Sequence, residues 1–135
     1  MAGFLSEYLA HKFLNLIYGA TAYTPPATLY CAFFTAAPTA AGGGTEVSGG
    51  SYARVAVTNN TTNFPAAVGQ IKRNANAITF PTPTANWGLV IGAAWFDAAT
   101  SGNMLQYGPF TTSRNILNGD AAPSILANGG TFTFE

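Results

Sequence analysis

The sequence predicts an all-β fold, either an antiparallel β-sandwich or a jelly-roll-like barrel, with one N-terminal α-helix. About seven or eight short segments rich in β-branched and aromatic residues recur along the chain, and turn residues separate them at regular spacing. Only one segment, near the N-terminus, repeats its apolar residues at helical spacing. These observations fit a sandwich and a barrel equally well.

The helix is predicted over residues 4–18. Gly19 follows at the position past a helix C-terminus, where a positive φ favours glycine. A lone helix before a β body either covers an open sheet edge or packs against another subunit, and the sequence favours neither. We therefore divide the chain into a helical segment, 1–19, and a single β domain, 20–135. The apolar stripe of the helix, spaced three and four residues apart, consists of Leu5, Leu9, Phe13, Leu16 and Ile17.

A long glycine-rich loop connects the first two predicted strands, Thr28–Thr35 and Tyr52–Thr58. Both strands are rich in β-branched and aromatic residues. Between them, Pro38 and a series of glycines specify a loop over about residues 36–51. At about 15 residues, this loop is longer than connections usually are without a function. Its composition indicates a loop that forms a surface of defined shape.

The strongest strand prediction is the almost continuously apolar run Trp87–Asp97. Such a run is typical of a strand that is buried on both faces or lies at an interface. Gly88 and Gly92 within it indicate bulges or the close approach of a neighbouring backbone. Before it, residues 71–80 are predicted to form one or two short strands.

The chain is predicted to return from this run as a partner strand, Met104–Thr112, so that the two strands form a hairpin. A turn at residues 97–103 connects them. A closing strand is predicted at Gly130–Glu135, where Phe132 and Phe134 alternate with threonine, a one-sided pattern of period two.

Charged residues are scarce, at 7% of the chain against roughly 25% in typical soluble domains. Five basic and five acidic side chains cancel. Copies of such a chain repel one another little, so we expect a homo-oligomer. The pair Lys72–Arg73 is too small a basic patch to predict nucleic-acid binding. No apolar run approaches the ~20 residues that span a bilayer, so no membrane partner is expected.

Residues that bind metals or catalyse reactions are also scarce. The chain has one cysteine, Cys31, which its neighbours predict to be a core residue, and one histidine, His11, on the polar flank of the helix. The glycine-rich loop is followed by neither the lysine nor the helix of a phosphate-binding motif. We therefore expect no enzymatic activity, no metal and no cofactor. Tyr23, Trp87 and Tyr107, near strand ends, are the aromatic residues predicted to be exposed.

Two parts of the sequence resemble segments of small virion structural proteins of tailed bacteriophages. One part is Phe34–Val55, and the other combines Trp87–Gly88 with Trp95–Leu105. The resemblance covers about residues 1–112 and implies a β-rich virion protein of the decoration, cement or tail-fibre type, with no catalytic residues. Synthesis in the host cytoplasm is expected because no secretory signal is evident.

The main expectation from this resemblance is a capsid decoration or cement protein that stabilises the particle through contacts with the major capsid protein. For such a protein the resemblance implies a trimer as one candidate state of the homo-oligomer. Small size and the lack of a coiled-coil or fibre repeat favour it. The alternative is a tail-fibre, tail-tip or baseplate component that contacts other tail proteins and recognises a host glycan or protein. For both roles, the predicted assembly surface comprises Leu5, Leu9, Phe13, Leu16, Ile17, Gly42, Gly43, Gly44, Glu46, Val47, Tyr52 and Arg54.

Overall fold

The computed structural model describes residues 3–133, which form a six-stranded antiparallel sheet, two short ribbons and one helix. The predicted fold class, all-β with one N-terminal helix, is confirmed. The end of the predicted closing strand, Phe134 and Glu135, lies outside the described residues. The elements in chain order are β1 (Phe4–Leu5), α1 (Glu7–Ile17), β2 (Thr28–Ala36), β3 (Thr45–Glu46), β4 (Val55–Thr58), β5 (Ile71–Arg73), β6 (Ile78–Thr79), β7 (Gly88–Phe96), β8 (Met104–Ile116), β9 (Ser124–Ile125) and β10 (Thr131–Thr133).

The main sheet has the strand order β1-β8-β7-β2, and the outer edge of β2 is shared by β4 and β3. Its centre is the predicted hairpin of β7 and β8, in which Ala94 lies opposite Tyr107. The register shifts between Val90 and Gly92. A Cβ at Gly92 would lie 2.6 Å from the carbonyl oxygen of Gly108. The predicted close approach of a neighbouring backbone is therefore confirmed at Gly92.

At the centre of the main sheet, both faces are apolar and buried. Successive residues of β2 alternate between two core clusters, as the period of a strand requires. Cys31 and Phe33 belong to the larger cluster, with Trp95 of β7. Ala32 and Phe34 belong to the smaller one on the opposite face. Cys31 has no exposed surface, and burial raises the pKa of its thiol, so the prediction that it is a core residue is confirmed.

The two ribbons pair β5 with β10 and β6 with β9. Asn74, which is 2% exposed, joins them. Its amide nitrogen donates to the carbonyl oxygens of Asn76 and Leu126 at 2.8 and 2.9 Å. Its amide oxygen accepts from the N–H of Gly130 at 2.8 Å. Through this amide the segment before β10 is fixed to the body, and Ile125 enters the larger core cluster.

The helix begins at Glu7, so the prediction that it starts at Phe4 was wrong. Ser6 is the N-cap, and its hydroxyl accepts from the N–H of Leu9 at 3.1 Å. Phe4 and Leu5 instead form β1, which pairs with the edge of β8. Pairing with the open edge of β8 gives the backbone of Phe4 and Leu5 hydrogen-bond partners. The helix then begins after Ser6, because serine is a preferred N-cap residue. Downstream, Gly19 has the expected positive φ, 119°.

Trp87 and Tyr107 were predicted to be exposed, and this was wrong, because they are only 5% and 3% exposed. The indole N–H of Trp87 donates to the carbonyl oxygen of Gly50 at 2.9 Å. The ring of Tyr107 packs edge-on against Phe34, with 6.1 Å between ring centroids. Trp87 belongs to the larger core cluster and Tyr107 to the smaller one. Tyr23 is half-buried.

Candidate assembly surface

Residues 7–27, here called the arm, are the part of the chain least covered by the body. At its base, Tyr8 and Leu9 pack against the larger core cluster. Beyond this base every residue from 11 to 22 is exposed, and α1 contains no buried side chain. The chain then returns past Pro25 and Pro26 and enters β2 at Thr28. The arm therefore presents most of its helix to its surroundings.

Apolar side chains cover the outer half of this helix. Aromatic side chains bury about 150–250 Å² each, and on that scale the five side chains named below expose roughly 500 Å² together. Contiguous apolar patches of that size are the largest found on typical monomers and are often functional. We call this set the arm patch, and its exposed fractions are 40% for Phe13, 51% for Leu14, 39% for Leu16, 55% for Ile17 and 77% for Tyr18.

The predicted helix stripe is therefore divided between two environments. Leu5 lies in β1 and is half-buried, and Leu9 is half-buried against the core. Phe13, Leu16 and Ile17 continue the same stripe on the arm patch, where each is at least 39% exposed. The stripe therefore docks the base of the helix on the core and is exposed over the outer turns.

An apolar cleft of about 290 Å³ lies where the arm meets the body. Asn59, Lys72 and the buried Gln106 contribute polar groups to its lining, and Tyr23 lines it from the return segment of the arm. Burial raises the pKa of the Tyr23 hydroxyl. The apolar part of the lining includes Leu9, Pro25, Pro26, Leu29, Trp95 and Leu105.

The glycine-rich loop is more regular than predicted, because it contains β3, which pairs with β2 at Phe34 and Ala36. Gly44 has a φ of +77°, and a Cβ there would lie 2.6 Å from the backbone nitrogen of Pro38. Gly42 and Gly43, at the turn, and Gly49 further along have open space beside them. The following Val47 is 4% exposed and belongs to the core.

The structure brings the loop turn and the base of the helix together. The N–H of Glu7 donates to the carbonyl oxygen of Ala40 at 2.9 Å. Between them lies a second cleft of about 410 Å³, lined by residues from the helix base, from the Ala40–Gly43 turn and from the segment Gly102–Met104. The helix and the loop, predicted separately, are thus parts of one region.

Arg54 and Glu46, both predicted for the assembly surface, form an ion pair within the chain. The guanidinium donates two parallel hydrogen bonds of 2.8 Å to the Glu46 carboxylate. It also donates to the carbonyl oxygens of Ala98 and Ser101, each at 2.8 Å, and lies 3.6 Å from the ring of Phe96. The Arg54 side chain is 6% exposed. Arg54 therefore fixes the turn after β7 to the glycine-rich loop.

Tyr52 completes the edge of β2 between β4 and β3. Its hydroxyl accepts from the N–H of Phe33 at 2.9 Å and donates to a Glu46 carboxylate oxygen at 2.9 Å. The hydroxyl thus accepts the hydrogen bond from Phe33 that a neighbouring strand would otherwise accept. Mainly because of burial, the pKa of Tyr52 is raised above its ordinary value of 10.0, and the nearby Glu46 charge raises it further. Tyr52, Glu46 and Arg54 have partners within the chain, and their part in assembly stays a prediction.

Replacing Tyr52 with phenylalanine is expected to make the fold less sensitive to alkaline pH. The hydroxyl's pKa is raised in the folded state, so its contribution to stability is complete below about pH 10 and is lost as the pH rises further. Urea unfolding of both proteins at pH 8 and pH 11, followed by tryptophan fluorescence, measures this loss. The wild type should lose more stability between these pH values than Tyr52→Phe.

At pH 8 the variant should be less stable by about 1–2 kcal/mol, because the N–H of Phe33 loses its partner. Cys31, whose pKa burial also raises, is present in both proteins and so does not affect the comparison. An equal alkaline loss in the two proteins would contradict the role of the Tyr52 hydroxyl.

Side chains that commonly bind metal ions are not clustered in residues 3–133. No group of three or more His, Cys, Asp or Glu side chains there could hold a metal ion. His11 lies on the exposed part of the arm. Across the same residues, no helix has both the length and the apolar character needed to cross a membrane.

Comparison with known proteins agrees with a virion role. The family model described as podophage GP4 fiber I protein gp80 matches residues 4–133, almost the whole chain. The chain belongs to this family. The resemblance to small virion structural proteins is thereby confirmed, and the family is of the tail-fibre type. No curated protein gives a significant match. For a member of the fiber I family, the tail-fibre alternative is favoured over capsid decoration.

Proposed function

We propose that this protein is a non-enzymatic tail-fibre component of a podophage virion, attached to other tail proteins. The observation that carries the proposal is the match of the fiber I family model over residues 4–133. The geometry agrees with a structural role, because the most unusual feature of the described surface is an exposed apolar helix and not a cluster of reactive groups. The capsid decoration role, initially the main expectation, is not supported by the family.

We assign the protein a connecting role within the fibre, with the arm as its attachment site. The arm patch is large enough to contribute much of an interface, and the glycine turn is hydrogen-bonded to the base of the same helix. A receptor-binding role would be favoured by exposed aromatic residues around a groove. Trp87 and Tyr107 are buried instead, and Tyr23, which lines a cleft, is half-buried.

A phage that lacks this protein provides the test. Growing a nonsense mutant on a non-suppressing host should give DNA-filled heads that resist heat and chelators as wild-type heads do. The same particles should lack a fibre by negative-stain microscopy and should fail to adsorb to cells. Supplying the wild-type protein from a plasmid should restore adsorption. Particles that adsorb normally but whose heads break on mild heating would contradict the proposal and support decoration.

A further inference from the structure

We propose that the apolar cleft between the arm and the body binds a peptide segment of another tail protein, in which a large apolar side chain lies next to an aspartate or glutamate. This inference rests on the proposed function and names the chemistry of the partner. Three observations carry it: a buried amide without a partner, an apolar lining of limited volume, and one lysine without an ion pair.

The first observation concerns Gln106, which is 7% exposed and lies opposite Trp95 in the sheet. Side chains directly opposite each other share a face, and both residues line the cleft. The Gln106 amide forms no hydrogen bond to any residue in 3–133. No fully buried side-chain nitrogen or oxygen in that range lacks a partner. The unpaired amide therefore keeps a small accessible surface, which it presents to the cleft.

An unpaired amide at this place favours a peptide as the occupant. Nearly all buried polar groups in proteins have a hydrogen-bond partner. The Gln106 side chain offers both donors and an acceptor, and a peptide unit offers one N–H and one carbonyl oxygen. The two groups can therefore form two hydrogen bonds with each other. The hydrocarbon chain of a lipid could form neither of them.

The second observation is the lining and size of the cleft. Its walls include Leu9 and Pro26 from the arm and Leu29 and Leu105 from the body. Its volume is about 290 Å³, at the lower end of the roughly 300–1,000 Å³ that is typical of ligand sites. Such a space suits one large apolar side chain with its peptide unit. Large apolar side chains that fill such recesses supply most of the affinity of protein interfaces.

The third observation is the charge at the rim. Of the described residues that line the cleft, Lys72 alone is charged. It is half-buried and forms no ion pair within residues 3–133, where the ion pair present joins Arg54 to Glu46. The Tyr23 hydroxyl, also in the lining, has no hydrogen-bond partner in the same range. An acidic side chain beside the apolar anchor would accept from both groups, whereas a basic one would be repelled by Lys72.

The variant Gln106→Met keeps the length of the side chain and removes its amide. Because the amide has no partner within residues 3–133, the purified variant should unfold at the same temperature as the wild type or at a higher one. In cells that express both proteins equally, particles should contain on the order of ten wild-type copies for each variant copy, since two hydrogen bonds to the partner are lost. A lower unfolding temperature or a ratio near one would overturn the proposal.

The variant Lys72→Gln tests the charge in the same competition. Its matched control is Arg73→Gln, at the next residue of β5. Arg73 is exposed, and its guanidinium is bonded at 3.4 Å to the carbonyl oxygen of Asn128. Lys72→Gln should be under-represented in particles several-fold, and Arg73→Gln should be incorporated as the wild type is. Equal incorporation of the two variants would contradict a role for Lys72.

Treatment of purified particles with a water-soluble carbodiimide identifies the partner. The reagent activates a carboxyl group, which then forms an amide bond with an amine in contact, while the elements of water pass to the reagent and convert it to a urea. Mass spectrometry should find the Lys72 Nζ joined to an aspartate or glutamate of another tail protein, beside a large apolar residue. Lys72 joined only to carboxyl groups of this chain, or to none, would overturn the proposal.

The location of the protein separates this proposal from the proposed function. If the protein is in tails but Gln106→Met competes equally and Lys72 has no partner in another protein, the cleft proposal fails and the tail-fibre function stands. If the protein is found on heads, the tail-fibre function itself fails. Location in tails, together with a poorly incorporated but stable Gln106→Met, supports both.

Discussion

An Arg54→Ala variant is expected to lose about 3–5 kcal/mol of its free energy of unfolding. The substitution removes both bonds to Glu46, the bonds to two carbonyl oxygens and the contact with Phe96. It also leaves a carboxylate, whose side chain is 27% exposed, without its counter-charge at the edge of the sheet. Chemical denaturation at neutral pH, monitored by tryptophan fluorescence, measures the difference from the wild type.

Arg54→Lys is the matched control, because it keeps the positive charge but cannot form two parallel bonds to a carboxylate. It should fall between the wild type and Arg54→Ala. An Arg54→Ala protein that loses less than about 1 kcal/mol, the usual value of a surface ion pair, would contradict the account of this network. The turn after β7 and the glycine-rich loop would then be held by other contacts.

A Phe80→Ala variant should lose a similar amount, about 3–5 kcal/mol, because it leaves a cavity in the core. Phe80 is 2% exposed and is among the largest fully buried side chains of the described residues. Its ring stacks on Phe33, with 3.7 Å between centroids, and also lies near Tyr52, at 6.2 Å. The measurement is again the free energy of unfolding by denaturant.

Two further variants show whether the loss comes from the cavity. Phe80→Leu should lose less than Phe80→Ala, because leucine fills more of the space. Tyr18→Ala truncates an aromatic residue that is 77% exposed on the arm, and it should change stability by no more than about 0.5 kcal/mol. Equal losses at positions 80 and 18 would contradict the placement of Phe80 in the core and of Tyr18 on the exposed arm.

The strands were predictable where one physical signal dominated. The apolar run from Trp87 and its partner from Met104 formed the expected hairpin, and the glycine within that run meets a neighbouring backbone. In both segments, the burial of apolar side chains and the intrinsic strand propensity favour the same structure, a β-strand. The predicted end of the partner strand, Thr112, was too early, because the exposed residues before Ile116 have no apolar pattern but still pair with β7.

The start of the helix was mispredicted because the spacing of neighbouring apolar residues carries no information about pairing with a distant sheet edge. Phe4 and Leu5 continue the apolar spacing of α1, yet they pair with β8, about a hundred residues further along the chain. Ser6 was the available indication, since serine is favoured at an N-cap. Similarly, Trp87 was predicted to be exposed because its neighbours in sequence do not show that the distant Gly50 carbonyl accepts a hydrogen bond from its indole N–H.

The candidate surface was predictable only in part. The spacing of Phe13, Leu16 and Ile17 identified an apolar helix face, and the structure places it on the exposed arm. Sequence could not show that Glu46, Tyr52 and Arg54 bind one another, because these contacts depend on how the loop folds back on β2. Leu14 and Tyr18 were omitted because they lie off the narrow stripe, although the arm exposes them.

The measurement that tests the central claim most directly is quantitative mass spectrometry of purified particles, comparing tailless heads with detached tails. A tail-fibre component of the fiber I family should be present in the tail fraction, in fixed proportion to other tail proteins, and absent from tailless heads. Abundant copies on tailless heads, with none in detached tails, would contradict the account and restore capsid decoration as the function.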